Sequence, residues 1–190
     1  ISLYDALEQV GKKVTTADYP MKFEDLDQGY GFVLYQSTND KAGRFDCEGI
    51  HDYGTIISNG KIVHSYIRFP DIEIDVPAGS LDILVENGGR ANFGWDFVDR
   101  KGLNANVTVN KEILTNWKMT NIPLETVSEI KFNKKVGELP VHTPSFYRGT
   151  FTVDEVADTY LNPTGFHKGQ VFINGFNIGR YYLRKPQLTL

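Results

Sequence analysis

The sequence predicts an all-β chain built from two related β-sandwich units, the second incomplete at its C-terminus. Three observations lead there. Two Asn-Gly pairs, Asn59-Gly60 and Asn174-Gly175, each lie between apolar runs, and they are 115 residues apart. At that offset Gly54 meets Gly169, Ile56 meets Val171, Val63 meets Ile178 and Tyr66 meets Tyr181. From Gly29 onward the pattern of short apolar runs and turn residues is β almost throughout. Asn-Gly favours a tight hairpin because both central residues must take positive φ. Two such turns also arise by chance in an all-β chain, whereas a true duplication sets the fold before any local detail does.

The elements follow in order. Residues 1–28 hold one short helix, Leu3 to Val10, and read as a connector lying against another surface. The first unit, residues 29–120, opens on the aromatic strand Tyr30 to Tyr35, whose counterpart in the second unit is Phe146 to Phe151. Asp71 to Val76 alternates strictly, with three carboxylates on one face and three aliphatics on the other. Leu81 to Val85 follows the turn Pro77 to Ser80, so these two runs are expected to form a hairpin. Asn104 to Val109 and Glu112 to Met119 complete the unit. Residues 121–143, with Lys131, Lys134 and Lys135, read as a charged linker, and the second unit occupies 144–190. Its counterparts of the strands at 72–76 and 81–85 would fall beyond Leu190, so it is expected to lack its closing strands. An open sheet edge of that kind is an aggregation liability, and the chain reads as a fragment.

Composition narrows the function classes. The chain has 190 residues, a net charge of −4 and one cysteine. Mild acidity argues against a nucleic-acid partner, which would need a basic face. No apolar run approaches the roughly 20 residues that cross a bilayer, so no membrane partner is expected. Tyr4, Asp5 and Glu8 interrupt any apolar leader at the start. The four histidines lack ligand spacing and Cys47 has no partner, so neither metal nor cofactor is expected. Asp71, Glu73 and Asp75 read as a solvated strand face, and Glu24, Asp25 and Asp27 as exposed carboxylates. Nothing nominates a catalytic pair of carboxylates. Asn106-Val-Thr108 makes Asn106 a glycosylation candidate on an expected strand.

The segment Glu86 to Phe97 (ENGGRANFGWDF) differs in quality. It gathers three aromatics, two amides, an arginine and three glycines into one loop after a strand. Flat aromatic faces stack on sugar C–H faces, while Asn, Arg and Asp bond hydroxyls, and loops on a rigid sandwich collect such groups. The loop as a whole is therefore a candidate for a ligand or interface role. The alternative is structural: Arg90 pairs internally with Asp96 or Asp99, while Trp95 and Phe97 cover the sandwich end.

At this loop the chain resembles a known family. Leu81 to Asn87, Gly89-Arg-Ala-Asn-Phe-Gly94 and Lys101-Gly-Leu103 resemble the C-terminal β region of the glycoside hydrolase family 35 β-galactosidases. Pro144 to Tyr147, Asp158 to Leu161, Lys168 to Tyr181 and Pro186-Gln187 are similar to the same family in the same order. The resemblance covers about Phe23 to Leu190. It implies two galactose-binding-like jelly rolls that follow a catalytic (β/α)8 barrel, the main partner, in a retaining enzyme that hydrolyses terminal β-D-galactosyl residues. Both catalytic glutamates belong to that barrel, so no catalytic residue is carried over. The β region would brace the barrel, and the loop from Gly89 to Gly94 would wall one side of the galactose pocket, a role the resemblance carries to Phe93, Arg90 and Asn92. Phe93 takes the place where the family often has Tyr, so stacking survives while a hydroxyl is lost. Phe166 and Tyr182 stand where Trp is usual. The resemblance favours a secreted, lysosomal or periplasmic location. Two other readings stand beside it: a free carbohydrate-binding module using Phe93, Trp95 and Arg90, and a structural or oligomer-interface domain.

Overall fold

Helix α1 (Leu3–Val10) forms where its sequence pattern places it. Ser2 caps it, its Oγ accepting from the Asp5 backbone N–H at 3.1 Å, and Gly11 closes it by donating to the Leu7 carbonyl at 2.8 Å. Its apolar stripe of Leu3, Ala6 and Val10 is buried. The computed structural model describes residues 1–68, 74–132, 143–182 and 189–190.

Strands follow in the order β1 (Val14–Ala17), β2 (Phe32–Asn39), β3 (Gly43–Asp46), β4 (Ile50–His51), β5 (Tyr53–Ser58) and β6 (Lys61–Ile67). After them come β7 (Ile74–Val76), β8 (Gly79–Glu86), β9 (Gly102–Leu103), β10 (Thr108–Val109), β11 (Glu112–Ile113) and β12 (Trp117–Ile122). The hairpin of β13 (Lys168–Ile173) and β14 (Phe176–Tyr182) ends the series. A six-stranded sheet runs β1-β12-β2-β8-β5-β6 and a four-stranded sheet β11-β10-β3-β7, while β4 pairs with β9. All of these pairings are antiparallel.

The two larger sheets enclose one core. Val33, Tyr35, Ile83, Val85 and Met119 enter it from the six-stranded side, and Phe45, Val76 and Val109 from the other. Each such side chain contributes about 1.5–3 kcal/mol when fully buried. Because side chains alternate along a strand, Leu34 on β2 and Ile122 on β12 point the opposite way, where Leu3, Ala6 and Val10 of α1 cover them. The middle of the six-stranded sheet is thus buried on both faces, which suits the apolar run Phe32 to Tyr35 that opens β2. Asp82 is the polar intruder on the helix side of β8, and Tyr4 Oη donates to its Oδ2 at 2.7 Å.

Both Asn-Gly hairpins form. Asn59 and Gly60 have φ of 48° and 76°, and Asn174 and Gly175 have 50° and 85°, the paired positive values of a type I′ turn. Other expectations need correction. Asp71 to Val76 and Leu81 to Val85 do not pair as a hairpin: β7 lies beside β3, and β8 lies between β2 and β5. The turn at 77–78 carries the chain from one sheet to the other, where the eight-residue β8 pairs on both sides and the three-residue β7 takes an edge. Asp71 and Glu73 lie outside the described residues, while Asp75 is exposed. Residues 14–17, within the expected connector, add an edge strand along β12, and Phe23 and Leu26 enter the sandwich core. A four-residue run of VTTA pairs only because the β12 edge is there to meet it. Phe146 to Phe151 forms no ladder, although Ser145 bridges to Ser2. Lys134, Lys135, His142, Pro186 and Gln187 lie outside the described residues.

Candidate functional site

The loop between β8 and β9 leaves the sandwich end with its aromatic groups outward. Phe93 is 90% exposed and Trp95 94%, with Phe97 and Val98 also exposed. Trp95 opens a short 3-10 turn, Trp95–Val98. Asn92 is exposed, and Arg90 pairs through Nη1 with Glu24 Oε1 at 2.7 Å. The structural alternative therefore does not hold for two of its members: Trp95 and Phe97 do not cover the sandwich end. Arg90 finds Glu24 instead of Asp99, because Asp99 is already engaged on the opposite side of the loop base.

That base is a charge cluster which the sequence does not reveal. The Lys101 ammonium, its side chain 3% exposed, lies 2.8 Å from both oxygens of Asp52 and 2.9 Å from Asp99 Oδ2. Asp99 Oδ1 faces His51 Nδ1 at 2.7 Å and also meets Arg68 Nη2. Arg68 reaches Asp52 Oδ1 at 3.5 Å, and the Gly88 backbone N–H donates to Asp52 Oδ2 at 2.7 Å. Glu24 adds a second tie, accepting from the Lys101 backbone N–H at 3.1 and 3.2 Å while holding Arg90. Glu24 is thus not the solvated connector carboxylate that its position suggests. Residues 24, 52, 68, 99 and 101 come from distant stretches of the chain, so only their individual charges were legible.

Neighbouring cationic groups hold Asp99 in its charged form. Burial pushes the Asp99 carboxyl up, but the hydrogen bonds and charges of Lys101 and His51 outweigh it and hold Asp99 below the usual carboxylate range. Both aspartates are occupied by cations, so neither is poised as a general acid or base. The cluster orders the loop, and the parts open to another surface are the flat faces of Phe93 and Trp95. Among the described residues, no group of three His, Cys, Asp or Glu is arranged to hold a metal ion. Burial pushes the Cys47 thiol up to about 12, which leaves it a core residue of low reactivity.

Two further positions complete the picture. Asn106 is exposed in the turn before β10, one residue outside the sandwich core at Val107. The expected strand from Asn104 shrinks to β10, and Asn104 instead donates its backbone N–H to the Gly49 carbonyl at 2.7 Å. A separate cleft of about 1140 Å³ lies between the helix-side face of the large sheet and the β13–β14 hairpin. Glu86 and Lys168 meet in it, and none of the described residues of 88–98 lines it.

Comparison with known proteins adds the family context. The chain matches the family model described as the first all-beta domain of beta-galactosidase over residues 20–125. Residues 144–190 match the beta-galactosidase galactose-binding domain. The beta-galactosidase of Bos taurus is 35% identical over 204 residues, covering 90% of this chain and 31% of that protein. That of Homo sapiens is 36% identical over 202 residues, with 90% and 30% covered, and that of Xanthomonas manihotis 33% over 182 residues, with 91% and 30%. The chain therefore spans about 30% of the length of these curated relatives.

Proposed function

Because this chain belongs to the β-galactosidase family, through that family's first all-β domain, we propose that it is a non-catalytic region which braces a catalytic barrel and walls one side of a galactose pocket. The parent enzyme would release terminal β-D-galactosyl residues with retention, using two carboxylates carried by the barrel. Here the sandwich supplies rigidity and the loop from Gly89 to Gly94 supplies contact. The observation that carries the reading is the outward presentation of Phe93 and Trp95 above an ion cluster that fixes the loop base. A loop with no partner surface would gain by folding such aromatics back onto the sandwich. Phe93 would stack on the apolar face of the sugar, with Arg90 and Asn92 at its rim.

The test has two arms. This chain alone, incubated with an aryl β-D-galactoside, is expected to give no turnover above a blank. In the full-length parent, Phe93→Ala is expected to raise KM about tenfold with a smaller change in kcat, as lost sugar contact would. Unchanged KM would remove Phe93 from the pocket. The exposed patch also favours a second reading, a free carbohydrate-binding module. Micromolar galactose binding by the isolated chain, abolished by Phe93→Ala in titration calorimetry, would support that reading instead.

A further inference from the structure

We infer that Asp52 is a positioning residue for the aromatic loop, pinning both of the loop's ends to one carboxylate and so fixing where Phe93 stands. The inference rests on the reading of this loop as a pocket wall. It concerns a residue outside the loop, on the short link between β4 and β5.

The geometry is specific to a carboxylate. Asp52 Oδ2 accepts from the Gly88 N–H at the outgoing end of the loop at 2.7 Å. Both of its oxygens accept from Lys101 Nζ, at the returning end, at 2.8 Å. Its backbone is held as well, since Asp52 N–H donates to the Glu86 carbonyl at 3.1 Å and Arg68 N–H donates to the Asp52 carbonyl at 2.7 Å. Every group facing the side chain is a donor. An amide in its place would turn an NH2 toward Gly88 N–H or toward Lys101, so one end of the loop must move away. Gly88 permits the approach: a Cβ there would lie 3.0 Å from Asp52 Oδ2.

Other ties are weaker or one-sided. Asn87 bonds Gly29 and Gly31 but touches only the outgoing end. Glu24 accepts from the Lys101 backbone N–H at 3.1 and 3.2 Å at the returning end, and it reaches into the loop itself only through the half-exposed Arg90 side chain, which solvent screens. Between the anchors, residues 89–95 are exposed. The position of Phe93 is thus inherited from the base, and a displacement of about 1 Å at a sugar-contacting group is enough to weaken binding severely.

The test uses the full-length polypeptide and p-nitrophenyl β-D-galactoside. Asp52→Asn is expected to raise KM about tenfold with kcat changed less than about twofold, and Asp52→Glu to recover part of the loss. In a Phe93→Ala background, Asp52→Asn should add less than about twofold, because its effect passes through that ring. Gly88→Ala, a milder change, disturbs the Oδ2 contact without removing the Lys101 pair and should move KM the same way. In parallel, 4-fluorophenylalanine placed at position 93 reports the loop directly, and Asp52→Asn should shift or broaden its ¹⁹F resonance. An unchanged resonance with unchanged KM overturns the inference, as does full additivity with Phe93→Ala. If Phe93→Ala leaves KM untouched, the pocket-wall reading fails, and the ¹⁹F signal alone decides whether Asp52 positions the loop.

Discussion

Lys168, on the first strand of the C-terminal hairpin, sets its ammonium against the carboxylate of Glu86 at the end of β8, joining the two matched regions by one buried ion pair. Glu86 is 1% exposed, and Arg180 Nη1 stands 3.9 Å from its other oxygen. The Lys168 ammonium also lies 4.6 Å from the Tyr53 ring centre, and Tyr53 meets Tyr182 edge-on at 5.8 Å. The charge pair is therefore enclosed by aromatic walls, where a single unpaired charge is costly.

Glu86→Leu is accordingly expected to destabilise the chain by about 3 kcal/mol, since it strands Lys168. Adding Lys168→Met should recover more than half of that loss, because the pair as a whole contributes little net stability. Urea denaturation of the two single variants and the double variant measures the coupling. Equal losses that simply add would show that the pair does not interact.

Acid stability should depend on Asp99. Its folded-state carboxyl lies below its ordinary value, so the unfolded chain takes up protons first as the pH falls. The stabilisation is complete above the ordinary carboxylate range and is lost as pH drops through the lower folded value. Asp99→Asn is expected to lower stability at pH 7 by about 1–2 kcal/mol, the usual loss when hydrogen bonds to a charged group are removed. The difference from the parent sequence should vanish in strong acid. Melting temperatures from pH 2 to pH 7, a range set by the usual carboxylate values, check this. A constant difference across the series would contradict it.

Two glycines near the first hairpin should behave differently. Gly60 has φ of +76° and open space where a Cβ would stand, so Gly60→Ala carries only backbone strain, about 1 kcal/mol. At Gly79, with φ of +128°, a Cβ would lie 2.1 Å from Asn59 Oδ1. That oxygen accepts from Ser80 N–H at 3.0 Å, and the same amide donates to the Ala78 carbonyl at 3.1 Å. Gly79→Ala thus adds lost bonds to strain, and about 3 kcal/mol is expected. Equal melting temperatures for the two variants would refute the distinction.

Phe93 and Trp95 are exposed and are expected to add little to stability. Phe93→Ser and Trp95→Ser are each expected to change unfolding free energy by less than about 0.5 kcal/mol. Binding of a hydrophobic dye to the isolated chain should fall in both. A large loss of stability would mean that the rings are packed in solution.

The aromatic loop was legible because its residues are consecutive and their composition is unusual for a turn. The cluster beneath it was not, since Glu24, Asp52, Arg68, Asp99 and Lys101 converge across as many as 77 residues of chain. Each of them reads singly as an ordinary surface charge. The misplaced β7–β8 hairpin has a related cause: adjacency in sequence and a turn between two strands do not say whether the turn stays within one sheet.

Local rules thus determined the all-β class, both Asn-Gly turns and the capped helix, because φ preference, alternation and capping act over a few residues. The order of strands, the burial of the middle of the large sheet on both faces and the single carboxylate holding both ends of the aromatic loop were decided only by tertiary structure. Those features depend on which distant backbones and charges the collapsed chain brings within hydrogen-bond reach, and no local pattern encodes that.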